Sequence, residues 1–166
     1  MSKSARLPQE AINQSTMLER EARDYFEQAA QQTENELARL TFEAVAERHA
    51  ERADQVEAAY RAVARGEAID VGQSAAPRSM FDAIMRSVED SGAPTPPVIA
   101  NLREALVYSA KLRDVYRYLT STAAQDWEQR FFELLDADEV SLRMTLSDTL
   151  NYLSSNLELS DLPKES

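Results

Sequence analysis

One histidine and no cysteine limit the side-chain chemistry open to this chain. Disulfides, Cys-based zinc sites, Cys-bound iron–sulfur clusters and thiol catalysis are all excluded. Carboxylates and a single imidazole remain. Glu19, His49, Arg52, Ser109 and Glu139 stand out, because each interrupts an otherwise apolar helical stripe. Glu19, His49 and Glu139 are acceptable ligands for one iron, manganese or zinc ion. Arg52 offers another outcome, because a guanidinium holds two carboxylates by paired hydrogen bonds. The five residues would then form a nearly charge-balanced polar layer that fixes helix register. Burying either glutamate unpaired would cost several kcal/mol.

These residues must be positioned by helices. Gly and Pro are scarce, and Ala, Leu, Glu, Arg and Gln dominate the composition. A first helix is expected over residues 8–32, with Pro8 in its first turn. Thr33-Glu34-Asn35-Glu36 reads as a capping box opening a second helix over 34–65, with Gly66 at its C-cap. Two more helices are expected over 97–122 and 126–154, followed by a polar tail, 155–166, that frays. Between the second and third long helices, Met80, Phe81, Ile84, Met85 and Val88 predict a short amphipathic helix over 80–90, opened by Ser79. The whole of 1–166 reads as a single domain.

Apolar residues recur at spacings of three and four along each long helix. The seams are Ile12, Ser15, Glu19, Ala22, Phe26 and Ala29; then Ala38, Phe42, Val45, His49, Arg52, Val56, Ala59 and Val63. The third is Val98, Leu102, Ala105, Ser109, Leu112, Tyr116 and Leu119. The fourth is Phe132, Leu135, Glu139, Leu142, Leu146, Thr149 and Leu153. Each keeps one face toward partner helices. Arg23-Asp24 repeats as Arg113-Asp114, and Phe42-Glu43 as Phe132-Glu133, both 90 positions apart. That constant offset implies a duplicated helical hairpin. It pairs Glu19 with Ser109, His49 with Glu139 and Arg52 with Leu142, which puts the polar interruptions at one level. The short first and third links make antiparallel pairs. The long middle segment can run the bundle's length, on the order of 35–40 Å, and leave the second and third long helices parallel. The predicted fold is all-α: an antiparallel four-helix bundle with a crossover carrying a short helix.

The segments Glu19-Arg20-Glu21-Ala22-Arg23-Asp24-Tyr25 and Phe42-Glu43-Ala44-Val45-Ala46-Glu47-Arg48-His49-Ala50-Glu51-Arg52 resemble the first- and second-helix motifs of the rubrerythrin branch of the ferritin-like superfamily. Helices three and four echo both, so the resemblance spans roughly residues 8–155. It implies a two-metal site built from a Glu on each of the first and third helices and a Glu-x-x-His on each of the other two. Glu19 and Glu139 match that ligand set. His49 stands where Glu is expected, Arg52 and Leu142 where His is expected, and Ser109 where the third-helix Glu is expected. The resemblance therefore implies an eroded diiron site, no rubredoxin-type module, and a non-catalytic structural or protein-interaction subunit. The alternative is an iron- or manganese-binding oxidoreductase, or an iron- or peroxide-handling protein. Two-metal chemistry would need other acids, such as Glu43, Glu47 or Asp136, to fill the lost positions.

The net charge of −11 disfavours nucleic acid and anionic lipid as partners, since both would be repelled. No apolar run reaches the roughly 18 residues of a membrane helix. The polar N-terminal stretch lacks a signal-peptide pattern, which makes a cytoplasmic location the expectation. Asp136-Ala137-Asp138-Glu139 has the wrong spacing for a calcium loop on a helix. The charged stretch Glu47–Glu57 reads as a solvated face with helix-spaced ion pairs. Tyr108, Val115, Tyr118, Phe131, Leu134 and Met144 form a second apolar stripe on helices three and four. It must be covered by the middle segment, by a second copy of the chain, or by another protein. A homodimer, or a subunit of a larger assembly, is expected.

Overall fold

A computed structural model describes residues 8–69, 71–72 and 75–160. Among these the chain is all-α, with five helices and no strand: α1 (Pro8–Gln32), α2 (Glu36–Ala64), α3 (Phe81–Ser87), α4 (Pro96–Ser121) and α5 (Asp126–Ser160). α1 packs chiefly on α2, and α4 on α5, while α2 meets α5 and α1 meets α4.

Local chemistry sets the helix ends. α2 starts later than the capping-box reading implies. Asn35 is its N-cap and accepts from Ala38 N–H at 3.0 Å, while Thr33 accepts from Asn35 N–H. Glu36 does not reach back to complete the box, because its carboxylate accepts from the backbone N–H groups of Glu89 and Asp90. Asn35 also donates to Ser91 O at 2.7 Å, so this cap ties the α1–α2 corner to the middle segment. At the other end, Gly66 has φ +71°, and Gly66 N–H and Glu67 N–H donate to Val63 O and Ala62 O. That is a Schellman closure, which needs the left-handed conformation glycine adopts cheaply.

α3 is shorter than the expected 80–90. Met80 is its N-cap, and Ser79 accepts from Phe81 N–H. α5 is longer than expected and runs to Ser160, so residues 155–160 are helix and not tail. Leu157, Glu158 and Leu159 are good helix formers, and no Gly or Pro interrupts 155–160. The rest of the predicted tail, 161–166, lies outside the described residues.

Every seam residue is buried except Ala29 and Val63, which are partly exposed. The apolar interior falls into two clusters. One joins Phe26, Phe42, Val45, Leu102 and Leu146; the other joins Ile12, Val56, Tyr116, Phe132 and Leu135. Complete burial of a Leu or Phe side chain contributes ~1.5–3 kcal/mol. The clusters correspond across the repeat: Phe26 and Tyr116, Phe42 and Phe132, and Val45 and Leu135 are each 90 positions apart. Along α2, α4 and α5 the clusters are separated by His49 and Arg52, by Ser109, and by Glu139.

The second stripe resolves into three parts. Phe131 is buried; Tyr108, Val115 and Leu134 are partly covered; Tyr118 and Met144 stay exposed. The middle segment covers part of this surface. Arg78 N–H donates to Ser141 Oγ, and Met80 N–H donates to Thr145 Oγ1, each at 2.9 Å, which straps residues 78–80 onto α5. No helix among the described residues is long and apolar enough to cross a membrane.

Candidate functional site

The seam spacing that buries the leucines also buries five polar residues. Glu19, His49, Arg52, Ser109 and Glu139 are all fully buried, and they meet in one hydrogen-bonded layer. Arg52 is at its centre. One terminal guanidinium nitrogen lies 2.7 Å from Glu19 Oε1, and the other donates to Glu139 Oε2 at 2.7 Å. His49 Nδ1 is 2.6 Å from Glu19 Oε2. A carboxylate can only accept, so Nδ1 carries the proton. Ser109 donates to Glu139 Oε1 at 2.6 Å. The Glu19–His49 and Ser109–Glu139 bonds are the same bond repeated 90 positions later.

Three participants escape a reading of the sequence. Tyr116 counts there as an apolar seam residue, yet its hydroxyl donates to Glu19 Oε1, and its ring centroid is 5.5 Å from the Arg52 guanidinium carbon. Arg48 falls in the charged stretch read as a solvated face. It makes the expected helix-spaced pair with Glu51 at 2.7 Å, but it also reaches across to Asp138 at 2.9 Å. Asp138 in turn lies 3.5 Å from Arg52 Nε. One signal for the pair was available: Arg48 and Asp138 are themselves 90 positions apart, like His49 and Glu139 beside them.

Electrostatics follow from this packing. Burial alone would push the Glu19 carboxyl up, but the Arg52 charge and the hydrogen bonds from His49 and Tyr116 outweigh it and hold Glu19 below its ordinary range. Burial also works against the Arg52 charge, and the facing Glu19 and Glu139 carboxylates more than offset it. Tyr116 is pushed well above the usual phenol range, first by burial and then by the Glu19 charge. Two buried nitrogens lack a hydrogen-bond partner among the described residues: His49 Nε2, which is 3.7 Å from Glu139 Oε2, and Arg52 Nε.

The donor set does not fit a metal ion in this arrangement. Arg52 takes one oxygen of each carboxylate, His49 and Tyr116 also bind Glu19, and Ser109 takes the second oxygen of Glu139. A cation already stands between Glu19 and Glu139, two of the three ligand candidates, and the third, His49, is bonded to Glu19. Among the described residues no group of three or more His, Cys, Asp or Glu side chains is placed to hold a metal. The other acids do not join the layer. Glu43 pairs with Arg39 at 2.9 Å, Asp136 pairs with Arg113 at 3.0 Å, and Glu47 is exposed.

Compared with protein-family models, curated proteins and solved structures, the chain matches none.

Proposed function

We propose that this chain is a ferritin-like antiparallel four-helix bundle in which a guanidinium occupies the place of the two metals, and that it serves as a non-catalytic structural or protein-interaction subunit. The observation that carries this reading is Arg52, fully buried and 2.7 Å from both Glu19 and Glu139. Cross-helix contacts support the helix directions. Residue numbers rise on one helix as they fall on its neighbour: Glu19–His49 and Phe26–Phe42 for α1 and α2, and Leu106–Arg143 and Arg113–Asp136 for α4 and α5. Thr41–Thr149 and Arg48–Asp138 do the same for α2 and α5. If α2 and α4 both run against α5, they run parallel to each other, as a crossover through residues 65–95 requires.

The interaction half rests on the surface. Val107 and Tyr118 are 56% and 62% exposed and sit three turns apart on one face of α4. Met144 and Tyr152 on α5 are exposed as well. A second copy of the chain or another subunit would cover them.

Metal analysis of protein purified from cells grown with added iron and manganese, then chelated and reloaded, tests the reading. Fewer than about 0.1 metals per chain, with the fold unchanged, is the expected result. One metal per chain that is lost in His49→Ala would support a remnant site, and two per chain would restore the oxidoreductase reading. Either result overturns this proposal.

A further inference from the structure

α2, α5 and the strapped segment 75–80 enclose a cavity of about 370 Å³, within the size range of small-molecule sites. Its walls differ in character. The α2 wall presents Arg48, Arg52 and Gln55, spaced so that all three share a face. Opposite stand Leu134 and Leu142 of α5, with Met80 from the strap. The exposed rim contributes Arg78, whose guanidinium has no ion-pair partner among the described residues.

Among the described residues, three guanidiniums and one acid, Asp138, therefore line the cavity, in a chain of net charge −11. Two of them are engaged. Arg48 is shared between Asp138 and Glu51, and Arg52 is held by the buried layer, although its Nε–H lacks a hydrogen-bond partner. Among the described residues, Arg78 is the lining cation left to meet a ligand. Its backbone is already fixed, because its N–H donates to Ser141 and the adjoining Met80 N–H donates to Thr145. The cavity is thus formed before any ligand arrives, which lowers the ordering cost of binding.

We propose that this cavity binds a small amphipathic carboxylate. Its head group pairs with Arg78 and the outer face of Arg48, and its apolar body lies against Leu134, Leu142 and Met80. Planar carboxylate matches the guanidinium fork. A bare phosphate would leave the leucine wall wet, and its second charge would be repelled more strongly by Asp138. A cationic ligand would face three guanidiniums. The cavity shares Arg52 with the buried layer, but the head group is placed on Arg78 and Arg48, so octanoate affinity and metal content test the two proposals separately.

Calorimetric titration of the full chain with octanoate, 1-octanol and inorganic phosphate tests it. Octanoate should saturate with a Kd below about 1 mM. Octanol, which has the tail without the charge, and phosphate, which has the charge without the tail, should each bind at least ~10-fold more weakly. Arg78→Ala should weaken octanoate binding by ~10-fold while leaving Tm unchanged, since the side chain is exposed. Absence of saturable octanoate binding, equal binding of phosphate or octanol, or octanoate binding that Arg78→Ala leaves intact would each overturn the proposal.

Discussion

Glu19 and Glu139 share one guanidinium: Arg52 lies 2.7 Å from an oxygen of each, and all three side chains are fully buried. Both carboxylates draw on the same guanidinium, so the stability of each depends on Arg52. Arg52→Leu should lower unfolding stability by about 3–5 kcal/mol in urea titration, because two buried charges lose their partner. Adding Glu19→Gln and Glu139→Gln to that variant removes the charges but keeps the hydrogen-bond acceptors, and should recover at least half of the loss. Unchanged stability in the single variant would rule out the charge-balanced layer.

Stability should fall on both sides of a central pH range. Glu19 keeps its charge in the folded state to lower pH than in the unfolded chain, so the unfolded chain takes up the proton first as pH drops below the ordinary value of 4.5. Stability from this group is present above that pH and is lost as pH falls through the depressed folded value. Tyr108 is pushed up to about 12, first by burial and then by Glu21 and the layer carboxylates, and Tyr116 is pushed well above 10.0. The unfolded chain releases these phenolic protons first, so stability also falls as pH rises past 10. Tm measured across the range should show a plateau with two declining limbs, and Tyr108→Phe should soften the alkaline one.

The repeat makes a prediction of its own. Phe42 and Phe132 are equivalent, fully buried, and sit in separate clusters. Phe42→Ala and Phe132→Ala should each cost about 3–5 kcal/mol by denaturant unfolding. The double variant should lose nearly the sum, because the polar layer separates the two sites and they share no cavity. A coupling energy as large as either single effect would show that the two clusters form one core.

Gly66 closes α2 at φ +71°. Space is not the constraint, since a Cβ there would meet no atom within 4 Å. Gly66→Ala should nonetheless destabilise by about 1 kcal/mol through the left-handed backbone alone, read as a lower urea midpoint with an unchanged slope. Gly66→Asn should recover part of it, because Asn tolerates that conformation better.

Much of this molecule was legible from its residues. The spacings of three and four placed nearly every seam side chain inside, because helical period and burial are tied by geometry. The offset of 90 aligns the polar interruptions from the sequence alone, and it also links Arg48 to Asp138. Helix ends were read less well, at Asn35 and Ser160, because termini depend on competing partners. Glu36 had a choice between its own helix and the backbone at Glu89 and Asp90, and a short-range motif cannot register an acceptor's partner more than fifty residues away.

The seam pattern determines that Glu19, His49, Arg52, Ser109 and Glu139 face the interior of an all-α fold, because a local period fixes each to one face of its helix, and the 90-residue offset sets them at one level. Only the tertiary structure decides which atoms meet. It turns the Tyr116 hydroxyl onto Glu19, sends Arg48 across to Asp138, and divides the Arg52 guanidinium between carboxylates on α1 and α5. It also straps residues 78–80 over α5 and so forms the cavity beside Arg78. Hydrogen bonds are directional and act over about 3 Å, whereas periodicity constrains only which face of a helix is buried.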